Sequence, residues 1–223
     1  MKKKKNKKIS LFAKLFDPKM LLLDFARLTA WPALLFYRMK VIYENKNAKK
    51  FRKHTGIIAS NHTGFGDVPI IYSLMLYRRI CFVTAKEVYK TKFSSRFYNA
   101  VGCIKIDRDN PSIQTFKSIT TCLDHGHFVG VFPEGSINKE EALKTFKSGV
   151  VMMALMSGKP IIPIYIKRRT SWFQRQRVAV GEAIHVNDYF SSRFPSMEEI
   201  EKVTNIVRDK ELKLKEMVGD YSE

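Results

Sequence analysis

An α/β fold is expected for this chain: a mixed, largely parallel β-sheet flanked by helices and preceded by an N-terminal basic arm and an interfacial helix pair. Short apolar, β-branched segments alternate with longer stretches of helical periodicity, which is the pattern of parallel sheets. Several predicted strands end at a polar or glycine-containing turn, where α/β sheets place ligands. With 223 residues and 45% hydrophobic content, the chain can bury one sizeable core.

The basic residues are concentrated at the N-terminus. The chain carries 40 Lys and Arg against 21 Asp and Glu, a net charge of +19, and residues 1–53 contribute 16 of the basic but only 3 of the acidic residues. Six of residues 2–8 are Lys. Such a segment is attracted to an anionic cytoplasmic leaflet by roughly 1 kcal/mol for each basic residue near the surface. We expect a membrane-binding arm, with a solvated disordered tail over residues 1–8 as the alternative.

Residues 20–37 are almost wholly apolar, but Asp24 and Arg27 interrupt the run and Pro32 breaks it. A spanning helix needs about 20 predominantly apolar residues, so the segment predicts two short helices embedded in the membrane interface. Packing of these helices on the following domain is the alternative.

We therefore predict two parts of the chain. Residues 1–53 form a basic, membrane-associating helical segment, and residues 54–223 form the α/β domain. The arm predicts peripheral or monotopic attachment at the cytoplasmic face of the cell membrane.

The elements of the α/β domain are predicted in order along the chain. Strands are expected at residues 55–60, 80–83, 102–108, 128–132, 160–164 and 177–181. Helices are expected from Asp67, from Ser112 to His125, from about Lys139 to Ser157, and from a capping box at Ser196 to about Met217.

A histidine and an aspartate flank the turn that follows the first of these strands. His62 and Asp67 stand five residues apart, where the strand gives way to a helix start. A carboxylate can fix the orientation of an imidazole that acts as a general base. The two side chains can meet only through a turn, which Gly64 and Gly66 permit. The pair predicts an oriented general base; a loop histidine beside a helix-capping aspartate is the alternative.

Two further strands end at residues suited to a ligand. Residues 128–132 run directly into Pro133-Glu134-Gly135-Ser136, and residues 102–106 end at a charged pair that includes Arg108. Arg108 suits a phosphate because a guanidinium can donate two parallel hydrogen bonds. Strand ends followed by helix starts are where α/β sheets hold ligands.

The motifs resemble those of the 1-acylglycerol-3-phosphate acyltransferases and related glycerolipid acyltransferases. Residues 61–67 match the family's Asn-His-x-x-x-x-Asp motif, and residues 102–108 are similar to its second motif, a Gly followed by alternating apolar residues and an Arg. Residues 132–136 match Phe-Pro-Glu-Gly-Ser/Thr, and residues 160–164 are similar to its fourth motif, an apolar strand that contains Pro. Four motifs in the family's order are far more specific than any one of them.

The resemblance implies an enzyme that transfers a fatty acyl group from a thioester to the free sn-2 hydroxyl of lysophosphatidic acid, making phosphatidic acid for phospholipid synthesis. His62 would be the general base, and Asp67 would orient it. Five residues would bind the phosphate and glycerol of the acceptor: Lys86, Arg108, Glu134, Gly135 and Ser136.

The resemblance also implies which partners the chain uses. No cofactor is expected, because acyl-CoA or an acyl carrier protein supplies the thioester as a co-substrate. The other expected partners are lysophosphatidic acid and an anionic membrane surface. Cys81, Cys103 and Cys122 are isolated from one another, which predicts reduced thiols and no metal site.

A non-catalytic basic protein that binds membranes or nucleic acid is the alternative class, since a charge of +19 permits both. We do not expect nucleic acid, because the excess charge lies on an arm beside an apolar segment and no stacking-aromatic motif is present.

Two residues depart from the family pattern. Gly64 stands where many relatives carry Ser, and Ile137 stands where many carry Arg. The missing Arg removes a bidentate phosphate donor. Acylation of another lysophospholipid or of glycerol 3-phosphate is therefore the alternative activity.

Overall fold

The protein is described by a computed structural model, which covers residues 24–25, 37–75, 78–108, 110–140, 142–171, 173–192 and 194–220. Over these residues the chain forms a seven-stranded sheet with helices on both faces. The basic tail and most of the predicted interfacial helix pair lie outside the described residues.

The sheet has five parallel strands and two that run the other way. The strands are β1 (Lys40–Tyr43), β2 (Ile57–Ser60), β3 (Ile80–Ala85), β4 (Ile104–Ile106), β5 (Phe128–Val131), β6 (Ile161–Ile166) and β7 (Arg177–Val180). Their spatial order is β1-β7-β6-β2-β5-β3-β4. Every neighbouring pair is parallel except β6 and β7. The predicted mixed, largely parallel sheet is confirmed.

Within the described ranges, five α-helices connect or cover the strands: α1 (Asp67–Leu74), α2 (Lys92–Ala100), α3 (Ile113–Asp124), α4 (Gly149–Ser157) and α5 (Met197–Asp220). The predicted capping box at the start of α5 is present. The Ser196 N–H donates to Glu199 Oε2 at 2.7 Å, and the Glu199 N–H donates to Ser196 Oγ at 3.2 Å. Reciprocal bonds of this kind satisfy two of the N–H groups that a helix start leaves without partners.

The helix expected from about Lys139 to Ser157 is wrong in its first half, because α4 begins only at Gly149. Side-chain hydrogen bonds replace helical ones before that point. Asn138 Oδ1 accepts from the N–H of Glu140 at 3.0 Å, and Asn138 Nδ2 donates to the carbonyl of Ala142 at 2.7 Å. An Asn that bonds nearby backbone groups offers the chain an alternative to the helix.

The two faces of the sheet carry separate apolar clusters. α3, α4 and α5 cover one face, whereas α1 and the 3₁₀ helix Ala48–Lys53 cover the other. Alternate residues of β2 point into the two clusters: Ile57 and Ala59 into the first, and Ile58 into the second. Burial on both sides explains why this strand is a continuous apolar run rather than an alternating one.

The sheet begins before the boundary predicted at residue 53. β1 pairs with β7 in parallel, and Phe51 is buried in the cluster on the α1 face. Residues 40–53 therefore contribute to the α/β domain. Sequence pattern gave no sign of this, because a four-residue edge strand among basic residues has too short an apolar period to detect.

A buried ion pair joins the N-terminal segment to the domain. Arg79 donates from Nε to Asp24 Oδ1 at 3.0 Å and from Nη2 to Asp24 Oδ2 at 2.6 Å. Asp24 is 7% exposed and Arg79 is 1% exposed. At this residue the segment predicted to be interfacial packs on the domain. Among the described residues, no helix combines the length and the hydropathy needed to cross a membrane.

Removing one partner of this pair should leave an uncompensated buried charge. We expect Asp24→Ala to lower the free energy of unfolding by about 3–5 kcal/mol in urea denaturation. Glu198→Ala, which breaks the exposed Glu198–Lys202 pair, is the control and should change it by less than about 1 kcal/mol. A double variant, Asp24→Ala with Arg79→Met, should recover part of the loss. Equal effects at the buried and exposed pairs would contradict this account.

Candidate active site

His62 and Asp67 meet at the carboxyl end of β2. The Nδ1 atom of His62 lies 2.8 Å from Oδ2 of Asp67. Because an ionised carboxylate only accepts hydrogen bonds, Nδ1 carries the hydrogen and Nε2 is the basic nitrogen. Asp67 is the first residue of α1, where the helix dipole favours a negative charge. The turn between the two residues thus forms the oriented pair that their spacing predicted.

Three donors from the turn itself hold the Asp67 carboxylate. The Thr63 N–H and the Gly64 N–H donate to Oδ2 at 2.6 and 2.9 Å, and Thr63 Oγ1 donates to Oδ1 at 2.7 Å. Asp67 is 2% exposed. These bonds fix the carboxylate before substrate arrives, so the imidazole cannot rotate without breaking a charge-assisted hydrogen bond.

The His62 ring also stacks on an aromatic column. Its centroid lies 4.0 Å from the Phe132 ring, at an interplanar angle of 15°, and Phe132 stacks in turn on Phe82 at 5.7 Å. Phe82 can lie here because Gly130 has no side chain: a Cβ at that position would come within 2.5 Å of the Phe82 ring. The column blocks one face of the imidazole and limits its motion.

Asn61 ties the start of the turn to the neighbouring strand β6. Its Nδ2 donates to the Ile166 carbonyl at 3.0 Å, and its Oδ1 accepts from the Ile166 N–H at 2.8 Å. The amide side chain therefore continues the ladder between β2 and β6 one step beyond the strand. This explains why an Asn precedes His62.

The Glu134 carboxylate joins the His62 turn to the loop after β5. Oε1 accepts from the His62 N–H at 3.2 Å, and Oε2 accepts from Asn138 Nδ2 at 2.7 Å and the Lys144 N–H at 3.2 Å. The Asn138 N–H donates to the His62 carbonyl at 2.6 Å. Glu134 is 6% exposed. Its contacts with the protein give it a positioning role, which differs from the acceptor contact that the sequence predicted.

Arg108 and Gly135 are also brought together. Arg108 Nη1 donates to the Gly135 carbonyl, and Arg108 Nη2 lies 3.5 Å from Glu87 Oε2. Gly135 has φ +74°, a left-handed conformation that favours glycine. Lys86 is exposed and pairs with Asp107 at 2.6 Å. The predicted cations therefore lie at adjacent strand ends, beside the loop that carries Glu134.

Sequence reasoning assigned no role to three residues that build this site. Asn138 bonds both His62 and Glu134, and Phe132 stacks on the His62 ring. Lys147 passes over Gly135, where a Cβ would lie 3.1 Å from its Cε. Among these three residues, Phe132 lies in one of the family motifs set out above, whereas Asn138 and Lys147 do not.

Two cavities open beside the His62 turn on the side of β6. They have volumes of about 390 and 400 Å³. Both are lined by Thr63 and by the residues that follow β6, among them Lys167 and Arg168. A ligand that approaches the turn from this side meets positive charge.

The three cysteines and His125 have structural settings. All three cysteines are free, and burial raises the pKa of the Cys103 thiol. His125 Nδ1 lies 2.7 Å from the Thr121 carbonyl, which places it at the end of α3. The described part of the chain contains no cluster of three or more His, Cys, Asp or Glu suited to a metal ion.

A third buried carboxyl group lies behind the site. Glu211 of α5 is fully buried, and neither of its oxygens completes a hydrogen bond of ordinary geometry with the described residues. Burial raises the pKa of Glu211 well above its ordinary value, the negative charge of Glu134 raises it further, and the Asn61 N–H acts in the opposite direction. The folded protein therefore keeps the Glu211 proton to a higher pH than an ordinary carboxyl group would. The place of Glu211 on a charged helix gave no sign of this in the sequence.

The fold places the oriented His62–Asp67 pair, which is suited to act as a general base, at the carboxyl edge of an α/β sheet. The family model described as Acyltransferase matches residues 40–167, which is more than half of the chain and includes every predicted site residue. This chain belongs to the acyltransferase family.

Curated relatives and a solved structure are similar over most of the chain. The 1-acyl-sn-glycerol-3-phosphate acyltransferase of Bacillus subtilis is 28% identical over 166 residues, 71% of this chain and 81% of the relative. That of Borreliella burgdorferi is 25% identical over 173 residues, 75% and 68% of the two chains. The crystal structure of the 1-acyl-sn-glycerophosphate acyltransferase PlsC from Thermotoga maritima superposes with a TM-score of 0.62 at 19% identity, covering 92% and 83%. At this identity, the similarity to the Thermotoga maritima structure is a similarity of fold.

The proton on Glu211 should make stability depend on pH. The folded state keeps this proton above the ordinary pKa of 4.5, whereas the unfolded state releases it. The stabilisation from proton binding is therefore complete below that value and is lost as pH rises through the folded-state pKa. We expect Glu211→Gln to stabilise the protein more at pH 8 than at pH 5 in urea denaturation. Glu216→Gln, at an exposed position of α5, is the control; parallel pH profiles for Glu211→Gln and the parent would contradict the assignment.

Proposed function

We propose that this chain transfers an acyl group from a thioester to the sn-2 hydroxyl of lysophosphatidic acid. The observation that carries the proposal is the 2.8 Å contact between His62 Nδ1 and Asp67 Oδ2 inside a turn of backbone donors. The names of the curated relatives support this acceptor.

His62 is the general base of the proposed reaction. Its Nε2 takes the proton of the acceptor hydroxyl as the hydroxyl oxygen attacks the thioester carbonyl. The tetrahedral intermediate then collapses, the C–S bond breaks, and the thiolate leaves with the proton that His62 held. The C–O bond formed is the new ester, so no covalent enzyme intermediate is required.

Asp67 orients the base and stabilises the imidazolium that forms. Its carboxylate already accepts three hydrogen bonds from Thr63 and Gly64, so little reorganisation accompanies the proton transfer. The aromatic contact with Phe132 keeps the imidazole in the plane that points Nδ1 at Asp67. Glu134 positions the His62 backbone from the opposite side.

The acceptor phosphate is assigned to the cations beside Gly135. Arg108 touches the Gly135 carbonyl, and Lys147 passes over the same residue. Lys86 lies at the adjoining strand end, paired with Asp107. We assign the phosphate to Arg108 and Lys86, with Lys147 as a neighbouring cation and Ser136 next to the glycerol. The Gly135 turn lies one residue from Glu134, which contacts His62, so phosphate and base share one rigid loop.

The thioester is supplied by acyl-CoA or an acyl carrier protein, and no cofactor takes part in this scheme. Membrane attachment is assigned to the basic N-terminal arm, at the cytoplasmic face, because Lys residues are attracted to anionic lipid. The acceptor is itself a lipid, so attachment would keep enzyme and substrate on one surface.

An acyl-transfer assay tests the proposed activity directly. Lysophosphatidic acid, glycerol 3-phosphate and lysophosphatidylcholine are compared as acceptors, each with acyl-CoA and with acyl carrier protein thioester. We expect lysophosphatidic acid to give the highest kcat/KM. A higher kcat/KM for another acceptor would show that the enzyme acylates a different head group, and the proposed role of His62 would still stand. Ile137, where many relatives carry Arg, is the residue that favours that outcome.

His62→Ala should abolish transfer, and Asp67→Asn should lower kcat by about 10⁴, the scale of loss when the orienting aspartate of a Ser-His-Asp triad is replaced by asparagine. Circular dichroism is the measurement that shows whether each variant is folded. Thr121→Ala, at an exposed position of α3, is the control and should keep the parent rate. A folded His62→Ala protein with near-normal turnover would end the general-base assignment.

Arg108→Ala should raise KM for lysophosphatidic acid by about tenfold or more, because a hydrogen bond to a charged group is worth roughly 1.5–3 kcal/mol. Adding Ile137→Arg should restore part of the affinity, since it supplies a bidentate phosphate donor. Lys117→Ala, at an exposed position of α3, is the charge-matched control. Unchanged KM in Arg108→Ala would show that the phosphate binds elsewhere.

A further inference from the structure

Helix α2 presents an aromatic face that the domain does not cover. None of its residues is buried. Phe93 is 82% exposed and Phe97 is 48% exposed. Residues four apart lie on one face of a helix, so the two rings form a single apolar row. Isolated surface aromatics are common, but a pair on one helix face marks a surface that contacts something else.

Basic residues accompany the aromatic row. Lys92 and Arg96 are exposed, and each precedes one of the two Phe residues, so they form a second row beside the first. Lys90 is exposed just before the helix. A helix with an apolar row and adjoining cations is typical of segments that lie in the interface of an anionic bilayer.

The helix is fixed to the domain by its other side. The Tyr98 ring lies 5.3 Å from the Tyr89 ring, and Lys105 Nζ lies 5.4 Å from the Tyr89 ring. The side chain of Thr91 accepts from the Ser94 N–H at 3.0 Å and caps the helix start. The two Phe residues therefore project from a helix that is already formed, so binding would cost little ordering entropy.

The location of α2 relates this face to the candidate site. The chain leaves β3 through the 3₁₀ helix Lys86–Val88 and enters α2. β3, β5 and β2 are parallel, so α2 starts at the edge of the sheet that carries His62. Phe65, inside the His62 turn, is 87% exposed at the same edge. Exposed aromatic rings therefore accompany the reacting histidine at this edge.

We propose that Phe93 and Phe97, flanked by Lys92 and Arg96, insert into the interface of an anionic membrane and turn the His62 edge of the sheet toward the lipid. This attachment is separate from the N-terminal arm and belongs to the catalytic domain itself. It rests on the proposed function in one respect, since a lipid acceptor is what gives the orientation its use. An anionic bilayer fits this surface because its head groups attract Lys92 and Arg96, while its apolar interior can bury the two Phe rings.

The first experiment measures binding of the full-length chain to phosphatidylcholine vesicles with and without phosphatidylglycerol. Phe93→Ser with Phe97→Ser should weaken sedimentation with the anionic vesicles by about tenfold or more at every salt concentration, because apolar burial is not screened. Lys92→Gln with Arg96→Gln should weaken it mainly at low salt. The matched control is Phe194→Ser: Phe194 is 85% exposed in the loop between the 3₁₀ helix Val186–Tyr189 and α5, and it should leave binding unchanged.

The second experiment separates orientation from chemistry. Each variant is assayed with a short-chain, water-soluble lysophosphatidic acid and with a long-chain one embedded in vesicles. The Phe93 and Phe97 variant should keep the parent rate on the soluble acceptor and lose about tenfold on the embedded one. A parent protein that acylates neither acceptor would defeat the proposed function, whereas the sedimentation result would still decide the surface.

One result would overturn the proposed surface: vesicle binding by the Phe93 and Phe97 variant that equals the parent at all salt concentrations. If the unfolding temperature of that variant were also lower, the row would instead be covered by another segment of this chain.

Discussion

The Glu134 carboxylate is the contact on which the candidate site depends. It accepts hydrogen bonds from the His62 backbone, the Asn138 amide and the Lys144 backbone, so one buried charge joins the ends of β2 and β5 to the loop before α4. Burying a carboxylate is expensive unless its oxygens are satisfied, and here three donors satisfy them. The loop that begins at Glu134 also contains Gly135, whose carbonyl binds Arg108. His62 and the proposed phosphate residue Arg108 are thus both held by this loop.

Two buried carboxyl groups of this edge, Asp67 and Glu134, each accept several hydrogen bonds, whereas burial raises the pKa of the third, Glu211. Asp67 has the N–H groups of the turn, and Glu134 has the donors of its own loop. Glu211 has neither, and it lies behind both motifs in a fully buried position. A second negative charge next to Glu134 would be poorly solvated. The protonated form of Glu211 avoids a second buried charge, so α5 can pack against the sheet behind the site.

The candidate site residues and the exposed aromatic rings lie at the same edge of the sheet. Parallel strands bring the His62 turn, the Arg108 strand end and the start of α2 to one edge of the sheet. That edge carries cations and exposed aromatic rings together. A water-soluble substrate would not require the aromatic rings, whereas a lipid acceptor must be drawn from a surface. Placing the site at the bilayer shortens the distance over which the acceptor hydroxyl must leave the lipid.

The sequence alone determined the parallel sheet, both ends of α3, the start of α5 and the strand ends that carry the candidate site residues, because strand periods, capping residues and motif spacing are local. It did not determine the loop before α4, where Asn138 bonds replace the predicted helix, or β1, whose partner β7 lies more than a hundred residues away. It also missed α2, whose capping residue Thr91 pairs with Ser94 rather than Glu. Only the tertiary structure decided the ion pair of Asp24 with Arg79 and the raised pKa of Glu211, because burial and long-range partners set the cost of a charge.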